Sequence, residues 1–387
     1  MGSGIRRGVA PWVGVVLVSA LMPLVGPASP AGAADPVCSS EVPKPLPPSA
    51  CDDATPPETS LEPLVPSPNA AGWTRTDAVT LTFAVVETDP NDTDEMRLEC
   101  KLEGPSQAHD WQDCTSPRSY TGLTDTTDGS RYTFTVRAYD RSDRAIVYDN
   151  PQTPPPPFGT PDYDTPDEDA TPESVSWRQD TVVPHAYVVG GPYDPNGSSS
   201  PVTEQPKATF RLTASEPDVT YDCSLNGFAV PCKEGKVPLR KLSGGDKVFT
   251  VLATDQAGNQ DPSLAVKQFT VPFNLKGGRG WTQLNRKGAF KGDQLVTRTR
   301  GARVKFKASD VRGVRLIAPS GPALGKLRVR VGRSYWTYIN LRSGTSRLRR
   351  EYVIRGPRSV VTSGQIVIES LSNRRAVKVD ALVFPPD

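Results

Sequence analysis

Two stretches decide the fold: Tyr132–Asp140, which reads YTFTVRAYD, and Val248–Asp255, which reads VFTVLATD. In both, apolar side chains alternate with polar ones and the run ends on an aspartate. Alternation with period two is typical of a β-strand that buries one face, because successive side chains point to opposite sides of a sheet. Each stretch therefore predicts a half-buried strand, and their likeness predicts an internal repeat.

Working outward from these strands, the same order of features occurs twice. Each copy has a proline-containing opening, an alternating strand, a strand that carries a cysteine, and a strand that follows or closes the unit. In the first copy these are Thr55–Leu61, Val79–Phe83, Leu98–Leu102 and Ser174–Asp180; in the second they are Thr181–Val188, Ala208–Leu212, Tyr221–Leu225 and Ala265–Val271. Short alternating strands separated by turn residues predict β-sandwiches.

The six cysteines fall in three close pairs: Cys38 with Cys51, Cys100 with Cys114, and Cys223 with Cys232. Six cysteines allow fifteen pairings, so spacing alone leaves the connectivity open. No CxxC motif occurs and no histidine lies beside a pair, which disfavours a zinc site.

The repeated motifs resemble bacterial extracellular Ig-like repeats over residues 55–272. The resemblance implies two Ig-like β-sandwiches, at 55–181 and 182–272, each closed by a disulfide within the copy. Asp255–Asn259 fits the turn of that family, whereas Asp140–Arg144 lacks its Gly-Asn. The proline-rich acidic stretch 146–173 is then expected to be a loop inserted before the last strand of the first domain.

The third segment, residues 273–387, also lacks helical periodicity. We expect its strands at Ala302–Lys307, Gly313–Ile317, Lys326–Val331, Tyr335–Leu341, Arg350–Arg355, Gln365–Ser370 and Val377–Val383. Its turn and strand at Ala318–Val329, with Ser363–Ile368 and Val379–Val383, resemble jelly-roll modules of the galactose-binding-like, carbohydrate-binding class. The expected fold is therefore all-β, two Ig-like β-sandwiches followed by a C-terminal jelly-roll β-sandwich.

The N-terminal region predicts export. Arg6 and Arg7 precede an apolar stretch, Val9–Val25, and Ala31–Ala33 is a small-residue cleavage site. We expect a signal peptide at 1–33 and a proline-rich spacer at 34–54. From these features and the paired cysteines we expect the mature protein to lie in an oxidising, extracellular compartment. It would be released, or held outside the cell by binding.

Charge is divided unevenly along the chain. Residues 273–387 hold 25 Lys/Arg and 6 Asp/Glu, a net charge of +19, whereas the remainder holds 20 basic and 37 acidic residues, a net charge of −17. Such asymmetry indicates a basic binding module carried on acidic ones.

Motifs for catalysis are missing from the sequence. It has two histidines and no HExxH, GxSxG or Cys-His arrangement, so we expect no enzyme activity and no cofactor. The acidic loop Asp89–Glu95 offers oxygen ligands for calcium but lacks the EF-hand order, which favours a solvated turn.

The candidate ligand-binding residues lie in the basic segment: Tyr335, Trp336, Tyr338, Arg342, Arg347, Arg349 and Arg350. Aromatic planes stack on sugar rings, and arginine forks bind anionic oxygens bidentately. The sequence thus predicts an adhesion or scaffold protein that binds a glycan or an anionic cell-wall polymer. The alternative is a structural or protein-binding role in which the basic segment docks on acidic domains. A buried Trp336 beneath a solvated arginine face is also compatible with the pattern.

Overall fold

The computed structural model describes residues 57–86, 96–105, 107–108, 110–126, 129–140, 168–192 and 201–384, without the side chains of 107–108, 140, 310–312 and 355–363. The expected signal peptide and spacer, Cys38, Cys51, the loop Asp89–Glu95 and most of the insertion 146–173 lie outside these residues. Within them the chain is all-β, and one 3-10 turn at Phe290–Gly292 accompanies the strands. None of the described residues belongs to a helix with the length and hydropathy needed to cross a bilayer.

Backbone contacts divide the chain into two compact units. The smaller unit includes the described residues 57–59, 85–86, 96–98, 137–140 and 168–172. Inside it, the Thr59 hydroxyl donates to Asp169 Oδ2 at 2.5 Å and Arg137 pairs with Glu168 at 2.5 Å. The larger unit contains 60–84, 99–136 and 173–387, and therefore all of the second and third segments.

The first segment forms short strands in three sheets. In chain order they are β1 (Glu58–Leu61), β2 (Trp73–Thr74), β3 (Val79–Leu81), β4 (Phe83–Val86), β5 (Met96–Gly104), β6 (Gln107–Ala108), β7 (Gln112–Asp113), β8 (Arg118–Tyr120), β9 (Tyr132–Asp140) and β10 (Glu173–Gln179). The sheets run β1-β4, β3-β8 and β2-β10-β9-β5-β6. The expected closing strand is confirmed, since β10 pairs antiparallel with β9.

One predicted strand of this segment is divided. Val79–Phe83 was expected to be continuous, but β3 pairs with β8 while β4 pairs with β1, so the chain passes from one sheet to another at Thr82. Burial still alternates across this point, with Val79, Leu81 and Phe83 inside. A strand can change sheets without losing its alternation, which is why the sequence pattern concealed the break.

The second segment forms two sheets, β11-β12-β15 and β14-β13-β16-β17. Its strands are β11 (Ala186–Gly190), β12 (Ala208–Ala214), β13 (Thr220–Leu225), β14 (Phe228–Ala229), β15 (Gly235–Leu239), β16 (Gly245–Thr254) and β17 (Ala265–Val271). Apolar residues from both sheets share one core, in which the rings of Phe210 and Phe249 stack at 4.8 Å. The sequence correctly predicted β12, β13, β16 and β17.

Both disulfides implied by the Ig-like resemblance are present. Cys100 is bonded to Cys114, and Cys223 to Cys232. The first cysteine of each bond lies in β5 or β13, and the second lies after β7 (Cys114) or after β14 (Cys232).

The third segment contains the longest strands. They are β18 (Phe273–Asn274), β19 (Thr282–Asn285), β20 (Asp293–Thr297), β21 (Arg303–Ser320), β22 (Lys326–Val331), β23 (Thr337–Asn340), β24 (Arg347–Ser370), β25 (Val377–Val379) and β26 (Ala381–Val383). They form the sheets β18-β26-β21-β24-β22-β23 and β19-β20-β25.

The two longest strands were expected as four shorter ones. The sequence predicted strands at Ala302–Lys307 and Gly313–Ile317 with a break between them, but β21 continues through residues 308–312. Its register against β24 shifts across Gly313 and again between Val314 and Arg315. Gly313 has φ 67°, a left-handed conformation that glycine adopts without steric cost. The irregularity at Gly313 is therefore a β-bulge, and the hydrogen-bonded pairing of β21 with β24 continues past it.

The second and third segments share buried apolar residues. Ile317, Ala381 and Val383 belong to the same core cluster as Val188 and Phe249 of the second segment. Around this core, Gln205 Nε2 donates to the carbonyl of Ala289 at 2.9 Å. The third segment is thus packed on the second through apolar surface.

A carboxylic acid is buried beside this shared core. Asp380 has no exposed surface, and its two carboxyl oxygens each lie 3.1 Å from the backbone nitrogen of Phe290. Burial, which disfavours the charged form, raises the pKa of Asp380 to about 6, although the Phe290 N–H and the charge of Arg349 act in the opposite direction.

We predict that Asp380 makes stability depend on pH. Because the folded pKa lies above the ordinary value of 3.8, its contribution is complete below that value and is lost as pH rises through about 6. The free energy of unfolding of the wild type relative to Asp380→Asn should fall by up to about 3 kcal/mol between pH 4 and pH 7. Urea unfolding at several pH values measures it, with Asp222→Asn, on an exposed side chain of β13, as control. A difference that stays constant over this range would contradict the prediction.

Candidate functional site

The outer face of the large sheet in the third segment is lined with basic side chains. In β22, Leu327, Val329 and Val331 are buried, while the alternate residues Lys326, Arg328 and Arg330 lie on the opposite face. In β21 the same alternation buries Val304 and exposes Arg303, Lys305 and Lys307. In both strands one face thus packs inward and the other carries charge.

The strand register arranges these cations in two rows. β24 lies between β21 and β22, so Arg303 and Arg328 both lie opposite Glu369, and Lys305 and Arg330 both lie opposite Val367. Lys307 lies opposite Gln365, one step further along. We call the β21 row (Arg303, Lys305, Lys307), the β22 row (Lys326, Arg328, Arg330) and the β24 residues between them the cationic trough.

One end of the trough is held by a buried glutamate. Glu369, 5% exposed, accepts a hydrogen bond from Arg303 Nε at 2.8 Å and one from Arg328 Nη2 at 2.7 Å. Desolvation lowers the pKa of Arg328, but the hydrogen bond and charge of Glu369 outweigh it and raise that pKa above its usual value. Glu369 therefore fixes two of the cations and neutralises part of their charge.

Trp336 holds the arginines of the β22 row. The guanidinium carbon of Arg328 lies 4.2 Å from the centre of a Trp336 ring, and that of Arg330 lies 4.8 Å from it. Cation–π contacts of this kind stabilise and orient arginine side chains. Trp336 is half-buried, whereas Tyr335 and Tyr338 are 92% and 68% exposed.

The seven residues singled out in the sequence do not form one cluster. Trp336 and Tyr338 lie beside β22, which pairs with the C-terminal end of β24. Arg347 and Arg350 are exposed at the opposite end of β24, where they pair with Ser320 and Ala318 of β21. Arg350 stacks on Tyr352 there, and Arg342 is exposed in the loop after β23.

Arg349 has a structural partner. Its guanidinium group donates to the backbone carbonyls of Glu204 and, at 3.4 Å, of Thr203 in the second segment. It also lines, with Glu351, Ile317 and Lys207, a cleft of about 810 Å³ at this contact. In this structure Arg349 therefore connects the second and third segments.

Sequence reasoning left out of the site the residues that the strand register brings together along β24: Arg303, Lys305, Lys307, Arg328, Arg330 and Glu369. The alternation of basic and apolar residues in β21 and β22 was the available signal. What it lacked was the strand order, since β21 and β22 are far apart in sequence and become neighbours only across β24.

Among the described residues, one group of carboxylates lies close enough to share a cation. Ligand oxygens of Asp180, Glu216 and Asp255 are all within 4.8 Å of one another. Burial and the neighbouring carboxylates raise the pKa of Asp180 and of Glu216. Asp255 accepts hydrogen bonds from the backbone of Gly258 and Asn259, so its oxygens already serve the turn that follows β16.

Comparisons with known proteins give distant likenesses. No protein-family model and no curated protein matches the chain. Fibronectin(III)-like modules of Clostridium thermocellum CbhA align with a TM-score of 0.27 and 12% identity over 55% of this chain and 93% of theirs. Carbohydrate-binding modules of the β-sandwich superfamily give 0.24 and 15% over 53% and 97%, and a bacterial ice-binding adhesin gives 0.26 and 10% over 83% and 89%. At these values the function has to be argued from the chain's own residues.

We predict that Glu369 stabilises the third segment. Glu369→Gln removes the charge from two short hydrogen bonds and should lower the free energy of unfolding by about 1–2 kcal/mol, a range that allows for the partial exposure of both arginines. The control is Glu351→Gln, whose partner Arg315 lies at 3.2 Å in an exposed pair and should contribute less than about 0.5 kcal/mol. Urea unfolding of the full chain measures both variants. Equal losses would show that Glu369 acts as an ordinary surface acid.

Proposed function

We propose that this is an extracellular, non-catalytic binding protein whose basic third segment attaches it to a glycan or anionic polymer of the cell surface. The observation that carries the proposal is the cationic trough, in which fixed arginines, exposed lysines and exposed aromatic side chains share one sheet face. In this proposal the signal peptide at 1–33 directs export, and the domains at 55–181 and 182–272 are spacers, the second of which packs directly on the third domain.

The electrostatics support an anionic partner. Among the described residues, Lys305, Lys307 and Arg330 make no ion pair, and Glu369 is the acidic side chain between the two rows. A net charge of +19 over the third segment creates a field that concentrates anions near its surface and is screened by salt. Charge on this face is therefore available to a partner.

The alternative role, docking of the basic segment on the acidic ones, has one observation in its favour. The third segment does pack on the second, and Arg349 donates to carbonyls there. That contact depends mainly on buried apolar residues such as Ile317 and Val383, and the trough residues take no part in it. Docking and polymer binding therefore use different surfaces of the same segment.

The full chain should sediment with isolated bacterial cell walls at 50 mM salt and be released progressively as salt rises. Arg328→Gln with Arg330→Gln should reduce the bound fraction strongly, corresponding to a loss of affinity of at least about tenfold, since two fixed cations are removed. The control, Arg211→Gln with Lys236→Gln, removes two exposed cations from β12 and β15 and should change affinity less than about threefold. Absence of sedimentation at low salt, or equal losses in both variants, would overturn the proposal.

Trp336 should act through the arginines that it orients. Trp336→Leu removes the ring and should weaken wall binding about three- to tenfold, because Arg328 and Arg330 then lose conformational freedom on binding. Trp336→Phe keeps a ring for the guanidinium groups and should restore most of the affinity. If Phe and Leu weaken binding equally while both variants unfold at the wild-type urea concentration, the positioning role is wrong.

A further inference from the structure

The cationic trough offers a band of positive charge to a single extended chain. Its two rows lie two strands apart, about 10 Å, and successive cations in a row are two residues apart, about 6.8 Å. Between the rows, Val367 is 6% exposed, because the longer side chains of the neighbouring residues cover it. The two rows therefore form one continuous cationic surface over Val367, and this surface runs along β24.

Cations on both sides of β24 favour a polymer whose anionic groups are part of its backbone. Lys305 and Arg330 lie on either side of Val367, one on β21 and the other on β22. A phosphodiester in a linear chain carries two non-bridging oxygens, which point to opposite sides of the chain and can be contacted from both rows at once. A carboxylate attached to a sugar ring projects to one side and would meet one row. Arginine and lysine are both good phosphate ligands, the first as a fork and the second as a point charge.

The residues between the two rows also favour one class of phosphodiester chain over another. Single-stranded nucleic acids gain much of their affinity by stacking bases on aromatic rings that lie along the groove. Here the residues between the rows are Val367 and Gln365, and the guanidinium groups of Arg328 and Arg330 stack on Trp336. The exposed ring of Tyr338 lies on β23, outside the two rows.

We propose that the trough binds one strand of a linear polyol-phosphate or sugar-phosphate polymer, laid along β24 with a phosphate between Lys305 and Arg330. This inference rests on the proposed function, and it specifies both the chemical class of the polymer and its path. The Glu369 end of the trough, where Arg303 and Arg328 are partly neutralised, contacts the chain less strongly than the Lys305–Lys307 end.

The test compares polymers of equal charge number against the full chain. Poly(glycerol phosphate), polygalacturonate and a thymidine homopolymer are titrated, and dissociation constants are measured by fluorescence anisotropy at 50 and 200 mM salt. We expect poly(glycerol phosphate) to bind at least about tenfold more tightly than either of the others. Lys305→Gln with Arg330→Gln should weaken it at least about tenfold and reduce the slope of log K against log salt by about two, while Arg211→Gln with Lys236→Gln leaves both nearly unchanged.

Each other outcome has a defined meaning. If polygalacturonate binds as tightly, or if Lys305→Gln with Arg330→Gln binds like wild type, the phosphate trough is wrong while an anion-binding function survives. If the thymidine homopolymer binds most tightly, the partner class is nucleic acid and this inference is overturned. If none of the three binds at 50 mM salt and cell walls are not bound either, the proposed function falls together with the inference.

Discussion

The period-two alternation of side chains on β21 and β22 is the constraint on which the rest of the third segment depends. A strand has two faces, so the residues that bury Val304, Leu327 and Val329 necessarily place Arg303, Lys305, Arg328 and Arg330 on the other side. Packing of the core therefore also determines which side chains carry charge on the outer face. Burial of the apolar face supplies the free energy that keeps like charges together on the opposite face, with Glu369 offsetting part of their repulsion.

How much could be predicted follows from what is local in sequence. The strands β9, β12, β16 and β17, the closing strand β10 and the disulfides Cys100–Cys114 and Cys223–Cys232 have signals within a few residues of themselves, and all were predicted. The continuity of β21 between Lys307 and Gly313 was missed because a left-handed glycine suits a turn as well as a bulge. The composition of the site was missed for a different reason. It requires knowing that β24 lies between β21 and β22, and pairing between strands distant in sequence leaves no local trace.

The contact between the second and third segments changes the interpretation of the arginine cluster. In sequence, Arg347, Arg349 and Arg350 look equivalent, yet the backbone carbonyls of Thr203 and Glu204 take up the guanidinium group of Arg349. Next to that contact, Asp380 has a raised pKa, and the charge of Arg349 partly opposes the shift. One arginine of the cluster thus belongs to the joint between segments, while its exposed neighbours face solvent. Arg349 and Arg350 are adjacent in sequence, but successive residues of a strand point to opposite faces, so their surroundings differ.

An exposed charged surface and an enclosed pocket achieve affinity for a ligand in different ways. Each exposed cation contributes little by itself, since it remains hydrated and its field is screened beyond about 8 Å at physiological ionic strength. A polymer that lies along β24 meets several cations at once, so the entropy of association is lost once while each further contact and each released counterion adds to binding. Because Trp336 already orients Arg328 and Arg330, binding of the proposed polymer would cost these side chains less conformational entropy. Such a surface suits a long, repetitive, charged chain, for which retention at the cell surface depends on the number of contacts and not on the fit of a single group.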